Sequence, residues 1–130
     1  MVIDFCEGLK MSENMRFELR KQFPAEWFPE KFYGFEVGDG WLNIIKDMFE
    51  ELGQISLSDE EKPFGFLQIK EKFGDLRVYS IGGNDKITKI IKNAEIKASE
   101  TCDVCGRKGL KRNDGWISVR CEEHTRINML

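Results

Sequence analysis

The chain carries a single histidine in 130 residues. No second histidine is available to act as a base beside a histidine that ligates a metal. No apolar run approaches the roughly 20 residues of a membrane span. The opening stretch, MVIDFCEGLKMSENMRF, lacks the basic start and continuous apolar segment of a signal peptide. A soluble, cytoplasmic protein is therefore expected. Walker A, GxSxG and HExxH motifs are absent, as is a GxGxxG following a strand. The glycine-rich pieces GDG and IGGND read as turns or caps rather than phosphate loops. Neither repeats nor low-complexity segments occur.

Aromatic residues are plentiful: ten Phe and three Trp. They suffice for a core, which excludes a disordered chain. The net charge is −3. Residues 1–98 hold 14 Lys and Arg against 18 Asp and Glu, and residues 99–130 hold 6 against 5. An acidic body with a mildly basic tip argues against broad DNA coating, which needs many phosphate contacts. A small local nucleic-acid contact stays open.

Hydrophobic periodicity predicts three helices. The first spans 12–23, with Met15, Leu19 and Phe23 on one stripe, Ser12 as its N-cap and Pro24 as its stop. Residues 24–40 read as an irregular aromatic connector with one short helical turn. The second helix follows in GDGWLNIIKDMFEELG. Asp39 is placed as its N-cap and Gly53 as the glycine just past its end. A catalytic carboxylate is the sharper but weaker reading of Asp39. Residues 54–62 form a polar linker. The segment PFGFLQIKEKFGDLRVYSI predicts a hairpin, with strands 64–71 and 75–81 and a turn at Phe73-Gly74. Leu67 and Ile69 are expected on one face of the first strand, Leu76 and Val78 on one face of the second. Residues 85–99 predict the third helix, capped by Asn84 or Asp85, with Ile87, Ile90, Ile91, Ala94 and Ala98 inward. Phe32, Tyr33, Phe35 and Trp41 read as core or core rim before a binding platform. Glu71, Lys72 and Arg77 offer an exposed hairpin edge, with structure and interaction equally open. Cys6 reads as a small buried residue, since no activating group neighbours it.

The chemistry concentrates at 101–124, TCDVCGRKGLKRNDGWISVRCEEH, which holds three of the four cysteines and the histidine. Cys102 and Cys105 form one CxxC pair, and Cys121 and His124 form a CxxH pair fifteen residues on. Four such N/S ligands suit tetrahedral Zn²⁺. Iron–sulfur chemistry fits three cysteines and one histidine less well. A hairpin turning at NDG, with WISVR returning, fills the gap. The second pair is expected at the start of a short helix continuing through EEHTRIN. That arrangement is a treble clef, with a zinc ribbon as alternative. The fold class is thus α+β: a helix and hairpin body over 1–98 and a zinc-finger module over 99–130.

A structural zinc site uses four protein ligands, whereas a catalytic one keeps a position for water. The full set here predicts one structural Zn²⁺. The zinc-deaminase pattern is missing, because no Pro precedes the CxxC and no matching glutamate fits. A nuclease of the HNH type would need a further histidine. Replacing Cys102 or Cys121 with Ser is expected to unfold the module and spare the body. Arg107, Lys108, Lys111 and Arg112 are candidate phosphate contacts, although Asp103, Asp114, Glu122 and Glu123 flank them.

Taken together, GDGWLNII, QIKEKFGDLRVY and CDVCG…GWISVRCEEH resemble a family of small uncharacterised proteins encoded by phages and prophages. In that family a GDGW helix start, a KEKFGxLRxY hairpin and a terminal CxxCG…CxxH occur in this order. The resemblance covers roughly residues 35–125. It implies a phage or bacterial cytoplasmic setting and metal ligation by Cys102, Cys105, Cys121 and His124, and it implies no activity. The leading expectation is a non-enzymatic interaction protein whose partner is a host or phage protein, in defence or transcription. A nucleic-acid-binding module using residues 107–112 is the alternative. A metal-dependent enzyme drawing on Asp39, Glu71 or a linker carboxylate is the third.

Overall fold

The computed structural model describes the backbone of residues 5–125 and the side chains of residues 13–125. It is mixed α+β, with three helices and two small sheets. Helix α1 runs Phe5–Lys21. It starts earlier than the sequence predicts, so Ser12 lies inside the helix rather than capping it. No proline interrupts FCEGLKM, and once nucleated a helix gains a hydrogen bond with each residue added, which carries it through Gly8. Leu19 is buried and Phe23 packs against the core, but Met15 is 53% exposed.

The aromatic connector is core. Trp27, Phe28, Phe32, Phe35 and Val37 are buried, while Tyr33 points out. Ala25–Trp27 form a 3-10 turn, and Phe35–Glu36 form a short strand, β1, absent from the sequence reading. Two residues are too few for an alternation signal. Trp27, Phe28, Phe49 and Phe66 meet mostly edge to face, at centroid distances of 5.6–6.0 Å about Trp27 and Phe28. Each such ring contributes on the order of 1.5–3 kcal/mol by burial.

Helix α2, Leu42–Leu52, buries Leu42, Ile45, Met48, Phe49 and Leu52 at helical spacing. Asp39 is not its N-cap. It opens a 3-10 turn, Asp39–Trp41, and its carboxylate accepts from Arg16 at 2.8 Å. The same guanidinium donates to the carbonyls of Phe35 and Val37, tying α1 to the connector. Gly53 sits at the C-cap with a right-handed φ of −63°, so no left-handed glycine is required there. The linker that follows is anchored. Ile55 and Leu57 pack against the core, and Ser58 N–H donates to Glu61 at 2.9 Å in a capped turn.

Strands β2 (Gly65–Lys72) and β3 (Asp75–Ile81) form the predicted antiparallel hairpin. Phe73 and Gly74 turn it with φ of +52° and +82°. Strand β1 lies parallel beside β2, giving the order β1-β2-β3. The register is irregular between Phe66 and Gln68. Phe66 and Ile69 therefore point inward together, and Leu67 is turned out, 39% exposed. The expected pairing of Leu67 with Ile69 on one face is corrected by this bulge. Helix α3, Asp85–Ala98, buries Ile87, Ile91, Ala94 and Ala98, and Asn84 caps it by accepting from Ile87 N–H at 3.1 Å. It packs on α2 and β3, so both helices lie over the inner face of the sheet.

Candidate metal centre

After α3 the chain makes a tight knuckle. Cys102 N–H donates to the Arg107 carbonyl at 2.7 Å, and Gly106 N–H donates to the Cys102 carbonyl at 3.0 Å. Gly106 has φ +80°, a conformation that costs glycine least. Strands β4 (Leu110–Asn113) and β5 (Ile117–Arg120) then form a hairpin that turns at residues 114–116. The second knuckle is one 3-10 turn, Glu122–His124, closed by His124 N–H donating to the Cys121 carbonyl at 3.1 Å. Thr125 is extended, so the expected helix stops at His124 among the described residues. A single turn is enough to bring ligands three residues apart to one side.

The four sequence-predicted ligands converge. One ligand atom each from Cys102, Cys105, Cys121 and His124 lies within 4.8 Å of the others. Cys105 Sγ and Cys121 Sγ are 3.7 Å apart, as are Cys102 Sγ and His124 Nδ1. Cys121 Sγ and His124 Nδ1 are 3.1 Å apart. A tetrahedron with arms of about 2.0–2.3 Å has edges of roughly 3.3–3.8 Å. The cluster thus suits a metal ion such as zinc. Cys102 is fully buried and Cys105 is exposed.

The surroundings bias the thiols. Arg107 Nε donates to Cys105 Sγ at 3.5 Å and lowers its pKa to about 6, which favours the ligating thiolate. Desolvation pushes the Cys121 thiol up. Arg120 joins the two knuckles. It pairs with the buried Asp103 at 3.2 Å and donates to the His124 carbonyl at 3.4 Å. Burial raises the Asp103 carboxyl in spite of that partner.

The first knuckle rests on GDGW. Gly40 N–H donates to the Asp103 carbonyl at 3.0 Å, and Trp41 Nε1 donates to the Thr101 carbonyl at 2.8 Å. A Cβ on Gly38 would run into the Asp103 carbonyl, and one on Gly40 into that of Cys102. Val119 of β5 is fully buried in the main core. The sequence reading missed this cradle. Its signal was the pair of glycines around Asp39, more than one helix cap needs.

Other predicted contacts are dispersed. Arg107 also pairs with Glu123 at 2.8 Å, Lys111 with Asp75 at 2.8 Å, and Arg112 donates to the Arg120 carbonyl at 2.9 Å. Lys108 is exposed. Three of these four side chains are thus bonded within the chain. Asp39 and Glu71 are both engaged away from the cluster, Asp39 with Arg16 and Glu71 with the Gly74 N–H at 2.7 Å. The side chain of Cys6 lies outside the described residues. No helix is long and apolar enough to cross a membrane among the described residues. No protein-family model, curated protein or solved structure matches this chain.

Proposed function

We propose that this chain is a non-enzymatic interaction protein whose C-terminal module is organised by one structural Zn²⁺. The observation that carries this reading is the closed set of four ligand atoms within 4.8 Å. Three thiols and one imidazole supply all four positions of a tetrahedron, and none is left for a reacting water. Zinc is favoured by the mixed S and N donors. The finger is read as treble-clef-like, with the zinc ribbon as its alternative. A phage or bacterial cytoplasm is the setting, and a host or phage protein acting in defence or transcription is the partner.

Elemental mass spectrometry of protein never exposed to chelator tests the metal. One zinc per chain is expected, and a metal-free chain removes the reading. Affinity capture from bacterial lysate tests the partner. Recovery of a stoichiometric protein supports it, and an empty capture at modest salt counts against it. Nucleic-acid contact through Arg107, Lys108, Lys111 and Arg112 is a weaker second reading, because Arg107, Lys111 and Arg112 are already bonded within the chain.

A further inference from the structure

The sheet face turned away from the helices is chemically distinct. Alternation along β2 and β3 sends Ile69 and Leu76 into the core and the intervening residues outward. On that outer face Lys70 stands opposite Arg77, and Gln68 opposite Tyr79. The Lys70 ammonium lies 5.9 Å from the Tyr79 ring centroid, and the Lys72 ammonium 6.0 Å from that of Phe73. Tyr79 is 42% exposed and Phe73 61% exposed. Each exposed ring thus has a cation beside it. Asp75 is the carboxylate at the end of this face. It is held by Lys111 at 2.8 Å and Arg77 at 3.3 Å, so the second hairpin adds another cation here. Glu36 is in register with Lys70, and Glu95 of α3 acts on Arg77 and Asp75 from the strand edge. The four cations Lys70, Lys72, Arg77 and Lys111 still outnumber those three acids on a chain whose net charge is −3.

Phe73 adds an independent observation. Its φ of +52° is left-handed, a region that Asn and Gly tolerate far better than Phe. Neither burial nor turn geometry accounts for a phenyl ring there. Strain of this kind persists where a side chain is needed for something else.

We propose that the outer face of β2–β3 docks single-stranded nucleic acid, with Phe73 and Tyr79 stacking on bases and Lys70 and Lys72 meeting phosphates. Rings take bases of any identity, and neighbouring cations follow the backbone. A duplex hides its base faces, so the single strand is the form that fits. This surface does not depend on the metal reading, and zinc content and strand binding are measured separately.

The test is fluorescence anisotropy of the full chain with labelled oligothymidylate and oligouridylate of about 15 nucleotides, at about 50 mM and 200 mM salt. Binding that weakens with salt is expected. Lys70→Glu with Lys72→Glu should lower affinity at least about tenfold. Phe73→Asn should lower it several-fold without harming the fold, since Asn-Gly is a preferred turn pair. The control Lys86→Glu with Lys89→Glu, on exposed positions of α3, should leave affinity close to that of the parent. Absence of binding at the lower salt overturns the proposal, as does equal loss in the α3 control. Loss confined to Arg107→Glu with Lys108→Glu would move the contact to residues 107–112 and also overturn it. If oligonucleotides fail but the Lys70/Lys72 variant loses a captured protein, the face belongs to a protein and the proposal is wrong.

Discussion

The indole of Trp41 donates its N–H to the carbonyl of Thr101, 2.8 Å away and 60 residues on in the chain. Trp41 is fully buried at the entrance to α2, and Thr101 immediately precedes Cys102, the first member of the Cys/His cluster. One bond therefore joins the core to the first knuckle of the Cys/His cluster. Trp41→Phe keeps most of the packing but leaves the carbonyl without its donor. A loss of about 1–3 kcal/mol is expected. Urea unfolding would measure it, and zinc transfer to a chromogenic chelator should accelerate in the same variant.

Gly40→Ala should be more damaging than its size suggests. The added Cβ would meet the Cys102 carbonyl and lie 2.7 Å from Gly106 N. All of these atoms belong to backbone, so no side chain can swing aside. The knuckle must shift, and a destabilisation above about 2 kcal/mol is expected with reduced zinc occupancy. A variant that matches the parent in melting temperature and zinc stoichiometry would contradict this packing.

Metal removal should reach beyond the module. The knuckle touches Gly38, Gly40 and Trp41, and Val119 is part of the main core. Chelation is expected to lower the thermal midpoint of the helical circular dichroism signal, and Cys102→Ser should do the same. A helical signal that melts unchanged after zinc loss would restore the picture of an independent tail.

Glu95 gives a pH dependence of defined sign. Its carboxylate accepts from Val78 N–H at 3.4 Å on the open edge of β3. Burial raises its pKa above the ordinary 4.5. The folded chain therefore holds this proton to higher pH than the unfolded chain does. The group's stabilising contribution is complete below the unfolded value and is lost as pH rises through the folded one. Glu95→Gln keeps an acceptor for Val78 without the charge. Its melting temperature should equal the parent's near pH 4 and exceed it at pH 7. A constant difference across that range would show that burial does not govern this carboxyl.

Phe73→Asn separates stability from binding. Replacing a left-handed phenylalanine with asparagine should raise stability by roughly 1 kcal/mol. The same change removes one of the proposed stacking rings. Higher melting temperature with weaker oligonucleotide binding is the expected pair of results. A lower melting temperature would mean that the ring serves the fold.

Local signals were strong where periodicity or chemistry was strong. The stripe from Leu42 to Leu52, the Phe73-Gly74 turn and the Asn84 cap all depend on neighbours in sequence, and all are present. The Cys/His cluster was legible because a metal ion such as zinc would need particular donors at short spacings, and Cys102, Cys105, Cys121 and His124 do converge. The misses have equally physical causes. Asp39 has the composition of a cap, but Arg16, 23 residues earlier, competes for its carboxylate and takes it. Leu67 has the hydrophobicity of a core residue, but the bulge beside it reverses its face. Ser12 resembles a helix start, but nothing in its neighbourhood stops the helix from beginning sooner.

Residue chemistry and spacing alone therefore determined the α+β content, the main helical stripe, the hairpin and the four-residue Cys/His cluster. Those features need only contacts a few residues apart, or a metal's own demand for donors. Only the tertiary structure decided what GDGW is for. The close approach of Gly38 and Gly40 to the backbone of Cys102 and Asp103, and the reach of Trp41 to Thr101, join segments about 60 residues apart. No local pattern encodes such an approach. It exists because burying Trp41 and Val119 in one core brings the two segments together, and two residues without a Cβ let their backbones touch.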